Sequence, residues 1–204
     1  MGASGRLALF LGLVLSVWTV FHVYAFQRAF SIPALARAVP FPGRVALFAL
    51  LWLSYPVGRV LARSAPGALA RAVEMSGAVW MGGLFLAVAS FLAADVVTGF
   101  GRLWPRGAVP ARSTALAAAL VLSIVAVVQA ARGPRVVRHE VRVASLPGGR
   151  AELRIVQLSD LHLGTLLGER WLEGPVADVT ARSARVGVVT GERVDAGGGP
   201  VAPD

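Results

Sequence analysis

The 204-residue chain contains no cysteine, no lysine and no asparagine, and only 15% of its residues are charged. The missing cysteine excludes disulfides, thiolate metal sites and cysteine nucleophiles, and it leaves the redox compartment unread. Lysine and asparagine share AA-starting codons, so their joint absence points to a GC-rich genome rather than to selection for arginine. Scarce charge, together with 56% hydrophobic residues and a mean hydropathy of +0.68, excludes an ordinary soluble domain and predicts a membrane protein.

All basic residues are arginine, and the formal net charge is +9. Residues 1–131 hold ten arginines against Glu74 and Asp95, whereas residues 132–204 hold ten against nine acids. The excess positive charge therefore lies among the apolar segments, where arginine serves headgroup contact and topology. No nucleic-acid partner is expected.

A membrane span needs about 20 apolar residues to cross roughly 30 Å of hydrocarbon. Four stretches qualify: Leu7–Phe26, about Val45–Leu61, about Ala72–Ala94 and about Thr114–Ala131. The first is too long for the apolar core of a cleaved signal peptide and lacks an Ala-x-Ala-like site, so it is read as a retained anchor. Pro56 falls inside the second, which membrane helices tolerate when the freed backbone groups find other partners. Glu74 and Asp95 mark the two ends of the third.

Trp18, Tyr24, Trp52, Tyr55 and Trp104 read as an interfacial aromatic belt. His22 reads as a snorkelling or interhelical hydrogen-bonding residue rather than a proton relay. Ala78 and Gly82 have the small-xxx-small spacing that lets helices approach closely. With four spans the termini share a side, but seven arginines on that side against six on the other leave the orientation open.

After Pro134 the pattern changes. Val141 and Val143 alternate with Glu140 and Arg142, Pro147-Gly148-Gly149 makes a turn, and Leu153–Leu158 is a largely apolar run. This predicts strand, turn, strand. The second strand delivers Asp160 and His162, which an extended chain points to one face as a usable pair of metal ligands. A helix from about Glu169 and a second apolar run, Val186–Thr190, complete a βαβ unit whose strands lie parallel. Glu192, just past the second strand, would then approach Asp160 and His162. Two acids and an imidazole at strand ends suit a divalent transition metal that activates water. Gly174-Pro175 is expected to interrupt the crossover helix. His139 reads as a surface residue, and Trp171 as the anchor of that helix on the sheet.

The stretches Leu-Arg-Ile-Val-Gln-Leu-Ser-Asp-Leu-His-Leu-Gly (153–164), Glu-Arg-Trp-Leu-Glu (169–173) and Val-Val-Thr-Gly-Glu-Arg-Val-Asp (188–195) resemble the calcineurin-like metallophosphoesterases, in particular their membrane-anchored bacterial branch. The resemblance implies a hydrolase that cleaves a phosphoester with water activated between two divalent ions such as Mn, Fe or Zn. It makes Asp160 and His162 ligands of the first metal, sets Glu192 at the bridging position and matches Asp195 to the second acid of a Gly-Asp-x-x-Asp motif. It assigns no catalytic acid or base here.

The family has Asp where Glu192 stands, and the extra methylene moves the carboxylate by about 1.5 Å, one carbon–carbon bond. Its remaining ligands, from Gly-Asn-His, a later His and Gly-His-x-His, have no match, because the chain has no asparagine and no histidine after His162. The family pattern therefore reads as C-terminally truncated.

The expected architecture is an N-terminal α-helical membrane bundle of about four spans followed by an incomplete α/β metallophosphoesterase domain, a hairpin plus one βαβ unit. The expected boundaries are a transmembrane region over 1–131, the start of the enzyme domain over 132–195 and a disordered Gly/Pro tail over 196–204. The expected location is a bacterial cell membrane, multi-pass, with the lipid bilayer as partner and a phosphoester as substrate. Activity of this polypeptide is expected to be weak or absent, and the alternative is a non-enzymatic membrane module with a remnant soluble tail.

Overall fold

A computed structural model describes residues 2–65, 67–132, 136–143, 146, 152–159, 169–181 and 185–191. The chain divides into two compact units, Met1–Arg132 and Gly133–Asp204.

The first unit is helical throughout: α1 (Ala3–Phe30), α2 (Pro33–Ala38), α3 (Phe41–Ser64), α4 (Ala68–Thr98) and α5 (Pro105–Ala131). The four long helices are long and apolar enough to cross a membrane. Each extends past its apolar window, because a helix continues into the headgroup region until a stop signal meets it. The short α2 was not expected. Pro33 occupies its first turn, where a missing N–H is harmless, and Pro40 stands as the N-cap of α3, so two prolines divide one connection into a helical turn and a restart.

Helix α4 packs against α1, α3 and α5. Phe91 and Ala94 of α4 and Ala115 of α5 form a core, flanked by Tyr24 and Ala29 of α1. Large apolar side chains elsewhere point outward, among them Leu9, Leu13, Leu50, Phe85 and Ile124, as lipid solvation favours.

The expected close approach at Ala78 and Gly82 is not where the helices meet, since a Cβ on Gly82 would touch nothing within 4 Å. Contact is made instead at Gly58 and Gly77. A Cβ on Gly58 would lie 2.6 Å from the Glu74 Cα, and one on Gly77 would lie 2.6 Å from the Tyr55 Cα. Only glycine lets these backbones come so close.

Pro56 sits inside α3 without ending it. Proline has no N–H, so the carbonyl of Trp52, four residues earlier, loses its helical donor. The Trp18 indole of α1 supplies a replacement, donating to Trp52 O at 3.1 Å, while Trp52 Nε1 donates to Thr19 Oγ1 at 3.0 Å. These tryptophans therefore tie α1 to α3, and of the expected belt it is Trp104 that remains exposed. Trp18→Phe should lower the stability of the detergent-solubilised chain by about 1–3 kcal/mol, the range for a buried polar group left unpaired. In a Pro56→Ala background the same change should cost clearly less, because alanine in place of the proline returns an N–H to that carbonyl. Equal losses in the two backgrounds, measured by thermal unfolding, would show that the indole is not serving the proline gap.

The second unit contains β1 (Ile155–Ser159), α6 (Glu169–Ala181) and β2 (Val186–Thr190). The strands pair in parallel, with Ile155 opposite Val186 and Ser159 opposite Thr190. Val156 and Leu158 are half-buried on one face of β1, and the apolar residues of β2 are exposed. Two expectations fail here. Residues 136–143 form no strand: Val141 and Val143 are exposed, and alternation alone makes no strand without a partner ladder or a face to bury. Helix α6 runs unbroken through Gly174-Pro175. The proline removes one backbone donor without ending the helix. The Pro147-Gly148-Gly149 turn lies outside the described residues, as do 196–204.

Candidate functional site

The expected metal centre rests on the ends of two strands, and those ends are described. Ser159 and Thr190 close the ladder as partners in register, so the two strands stop side by side, about 4.8 Å apart as neighbouring strands are. Gln157 Nε2 donates to Thr190 Oγ1 at 3.0 Å, a side-chain tie across the pair next to its carboxyl edge. Gly191 follows at φ 74°, in the left-handed region that a side chain disfavours, and it turns the chain directly out of β2. Asp160 is the residue after β1, and Glu192 is the second after β2. The carboxyl edge of a parallel pair is where open α/β sheets place their ligands.

Asp160, His162, Glu192 and Asp195 themselves lie outside the described residues, as does the Trp171 side chain. Among the described residues no group of three or more His, Asp or Glu side chains comes together as a metal site. His139 is exposed. Ahead of β1, Glu152 accepts a hydrogen bond from Arg154 Nε at 2.8 Å, which holds its carboxyl below the usual range; both groups are fully exposed, so this is a surface contact.

The chain is similar to two curated proteins, each named transmembrane protein with metallophosphoesterase domain. With the one from Danio rerio it is 38% identical over 86 residues, covering 41% of this chain and 20% of the relative. With the one from Bos taurus it is 39% identical over 75 residues, covering 37% and 17%. These likenesses support a metallophosphoesterase relationship and agree with a membrane location. The chain spans about a fifth of the length of these relatives. No family model matches the chain, and no solved structure matches it.

A second constellation, inside the helical unit, was not anticipated. Asp95 of α4 is completely buried and holds three partners. Tyr24 Oη donates to Oδ2 at 2.7 Å, Arg112 Nη2 of α5 donates to Oδ1 at 3.3 Å, and Arg28 Nε of α1 meets Oδ2 at 2.6 Å as an ion pair rather than an aligned hydrogen bond. Arg28 also lies 5.4 Å from the Tyr24 ring and 6.0 Å from that of Phe100. One carboxylate thus joins three helices. At the opposite end of α4, Glu74 is buried and accepts from Arg59 Nη1 of α3 at 2.7 Å, while its Oε2 has no hydrogen-bond partner.

His22 is also fully buried, so it does not snorkel. Trp80 Nε1 donates to His22 Nε2 at 2.9 Å, and an indole N–H can only donate. Nε2 is therefore the acceptor, and Nδ1 carries the proton toward the Trp18 carbonyl at 2.8 Å. Both ring nitrogens are engaged, which makes His22 an interhelical tie between α1 and α4. The signal for Asp95 was available: residues 1–131 hold just two acids, both beside apolar runs, and ionisable groups there are expensive unless paired.

Proposed function

We propose that this chain is the membrane-embedded start of a metal-dependent phosphoesterase of the calcineurin-like type, multi-pass, in a bacterial cell membrane. The observation that carries the reading is the parallel pair β1 and β2, which end in register immediately before Asp160 and Gly191-Glu192. The likeness to the two vertebrate transmembrane proteins with a metallophosphoesterase domain supports it, and the four apolar helices support the membrane location.

In this reading Asp160 and His162 would hold one divalent ion, and Glu192 would stand at the position of the acid shared with a second. Mn, Fe and Zn suit a set of carboxylate and imidazole donors. The ions would supply Lewis-acid activation of water and of a phosphoryl oxygen. The chain's own residues would hold that centre at the sheet edge, and Gln157 ties to Thr190 across the two strands beneath it. A phosphoester of the lipid or cell envelope is the substrate class that an anchored site reaches.

The direct test is metal binding. Purified full chain titrated with Mn should bind it by calorimetry, and Asp160→Ala and His162→Ala should each weaken that binding about 10- to 100-fold or more, as loss of a metal-supporting group does. Phosphatase assays with Mn run alongside. Metal binding indifferent to both substitutions would refute the assignment.

A further inference from the structure

The end of the bundle formed by the last turns of α1 and α4 and the first turns of α3 and α5 carries six arginines, Arg28, Arg37, Arg44, Arg102, Arg106 and Arg112, against the single acid Asp95. Their partners differ. Arg44 is spent on backbone, donating from Nε to Val39 O at 2.8 Å and from Nη2 to Ala36 O, and it lies over the Phe30 ring. Arg37, Arg102 and Arg106 are exposed and make no ion pair among the described residues.

Arg28 and Arg112 share one carboxylate, so the buried cluster keeps an uncompensated positive charge. At the other end Arg59 pairs with Glu74. Arg112 is 11% exposed and also donates to Ser31 Oγ at 3.2 Å, whereas Arg28 is 24% exposed and so reaches the surface. Phe41, Phe100, Leu103 and Trp104 are exposed at the same level, the arrangement of side chains that sit among headgroups and upper acyl chains.

A guanidinium already fixed by Asp95, Tyr24 and Phe100 loses little rotamer freedom on binding an anion. Its excess charge, the unpaired arginines around it and the apolar rim match a ligand with a phosphate on an apolar tail. We propose that this end of the bundle is a headgroup site for an anionic phospholipid, with Arg28 as the fixed cation and Arg102 and Arg106 as exposed cations beside it. This site lies within the helical unit and does not depend on the phosphoesterase reading.

The test uses the full chain in detergent, titrated with phosphatidylglycerol or phosphatidylcholine, with bound lipid counted by native mass spectrometry. Phosphatidylglycerol should bind at least about tenfold more tightly; each arginine beside an anionic headgroup contributes on the order of fivefold, so the double variant Arg102→Gln/Arg106→Gln should erase most of that preference. Equal binding of the two lipids overturns the proposal, as does a preference unchanged in the double variant. Displacement of phosphatidylglycerol by inorganic phosphate alone also overturns it, by showing a site for the free anion. If the double variant fails to fold, the salt dependence of the unsubstituted chain decides: a preference that weakens as salt rises supports the arginine site, and one indifferent to salt overturns it.

Discussion

Asp95→Ala should destabilise the helical unit by about 3–5 kcal/mol, the loss expected when one partner of a buried charge cluster is removed. The substitution deletes the acceptor of Tyr24, the partner of Arg28 and the partner of Arg112 in one step. It leaves two guanidinium groups without their shared anion where α1, α4 and α5 meet. Thermal unfolding of the detergent-solubilised chain, followed by the tryptophans, measures the loss. Asp95→Asn separates charge from hydrogen bonding: an amide still accepts from Tyr24 but neutralises neither arginine, so its loss should fall close to that of alanine. The sharper comparison is the triple variant Asp95→Leu/Arg28→Met/Arg112→Met. Replacing a whole buried ionic cluster by apolar groups of similar volume is often neutral or stabilising, so the triple should recover much of what the single loses. A triple variant no more stable than Asp95→Ala would show that shape, not charge balance, governs this junction.

That cluster also marks the limit of what the amino-acid sequence made legible. Hydropathy located all four long helices, because apolar length is a local property that lipid reads directly. It placed Glu74 and Asp95 correctly at the two ends of the third span, but linear order does not say that Asp95 turns inward onto Arg28 and Arg112, 67 and 17 positions away. Partner choice is tertiary. The same holds for Pro56, where the need for a substitute donor was readable and its identity as the Trp18 indole was not.

In the second unit, β1, α6 and β2 were readable because a run of β-branched residues and a run of helix formers differ in period. The alternation at Glu140–Val143 misled, since the same pattern fits any exposed segment with valine in it. Gly174-Pro175 misled in the opposite direction, because a proline costs a helix one donor and a local clash without always ending it. Asp160, His162 and Glu192 were read as residue types following strands, and the described ladder ends at Ser159 and Thr190, just ahead of Asp160 and Glu192. Their own geometry lies outside the described residues.

The close approach of α3 and α4 yields the other large effect. Gly77→Ala adds a methyl group that would sit 2.6 Å from the Tyr55 Cα and 2.7 Å from its N. Those are backbone atoms, which cannot rotate aside as a side chain can. The Gly58 contact on Glu74 lies three residues away on each helix, so the two contacts stack one turn apart along an antiparallel pair, and relief at one requires separation at both. Overpacking a filled interface costs typically about 1–3 kcal/mol and occasionally more; with backbone facing backbone, Gly77→Ala should fall at or above the top of that range. Separation also draws Glu74 from Arg59, whose 2.7 Å contact spans the same crossing. Gly82→Ala, five residues along the same helix, is the control. Its Cβ meets nothing within 4 Å, and alanine is favoured over glycine in a helix by about 1 kcal/mol, so the sign of its effect should reverse. Intrinsic helix propensity predicts stabilisation at both positions, and only the proximity of Tyr55 predicts opposite outcomes.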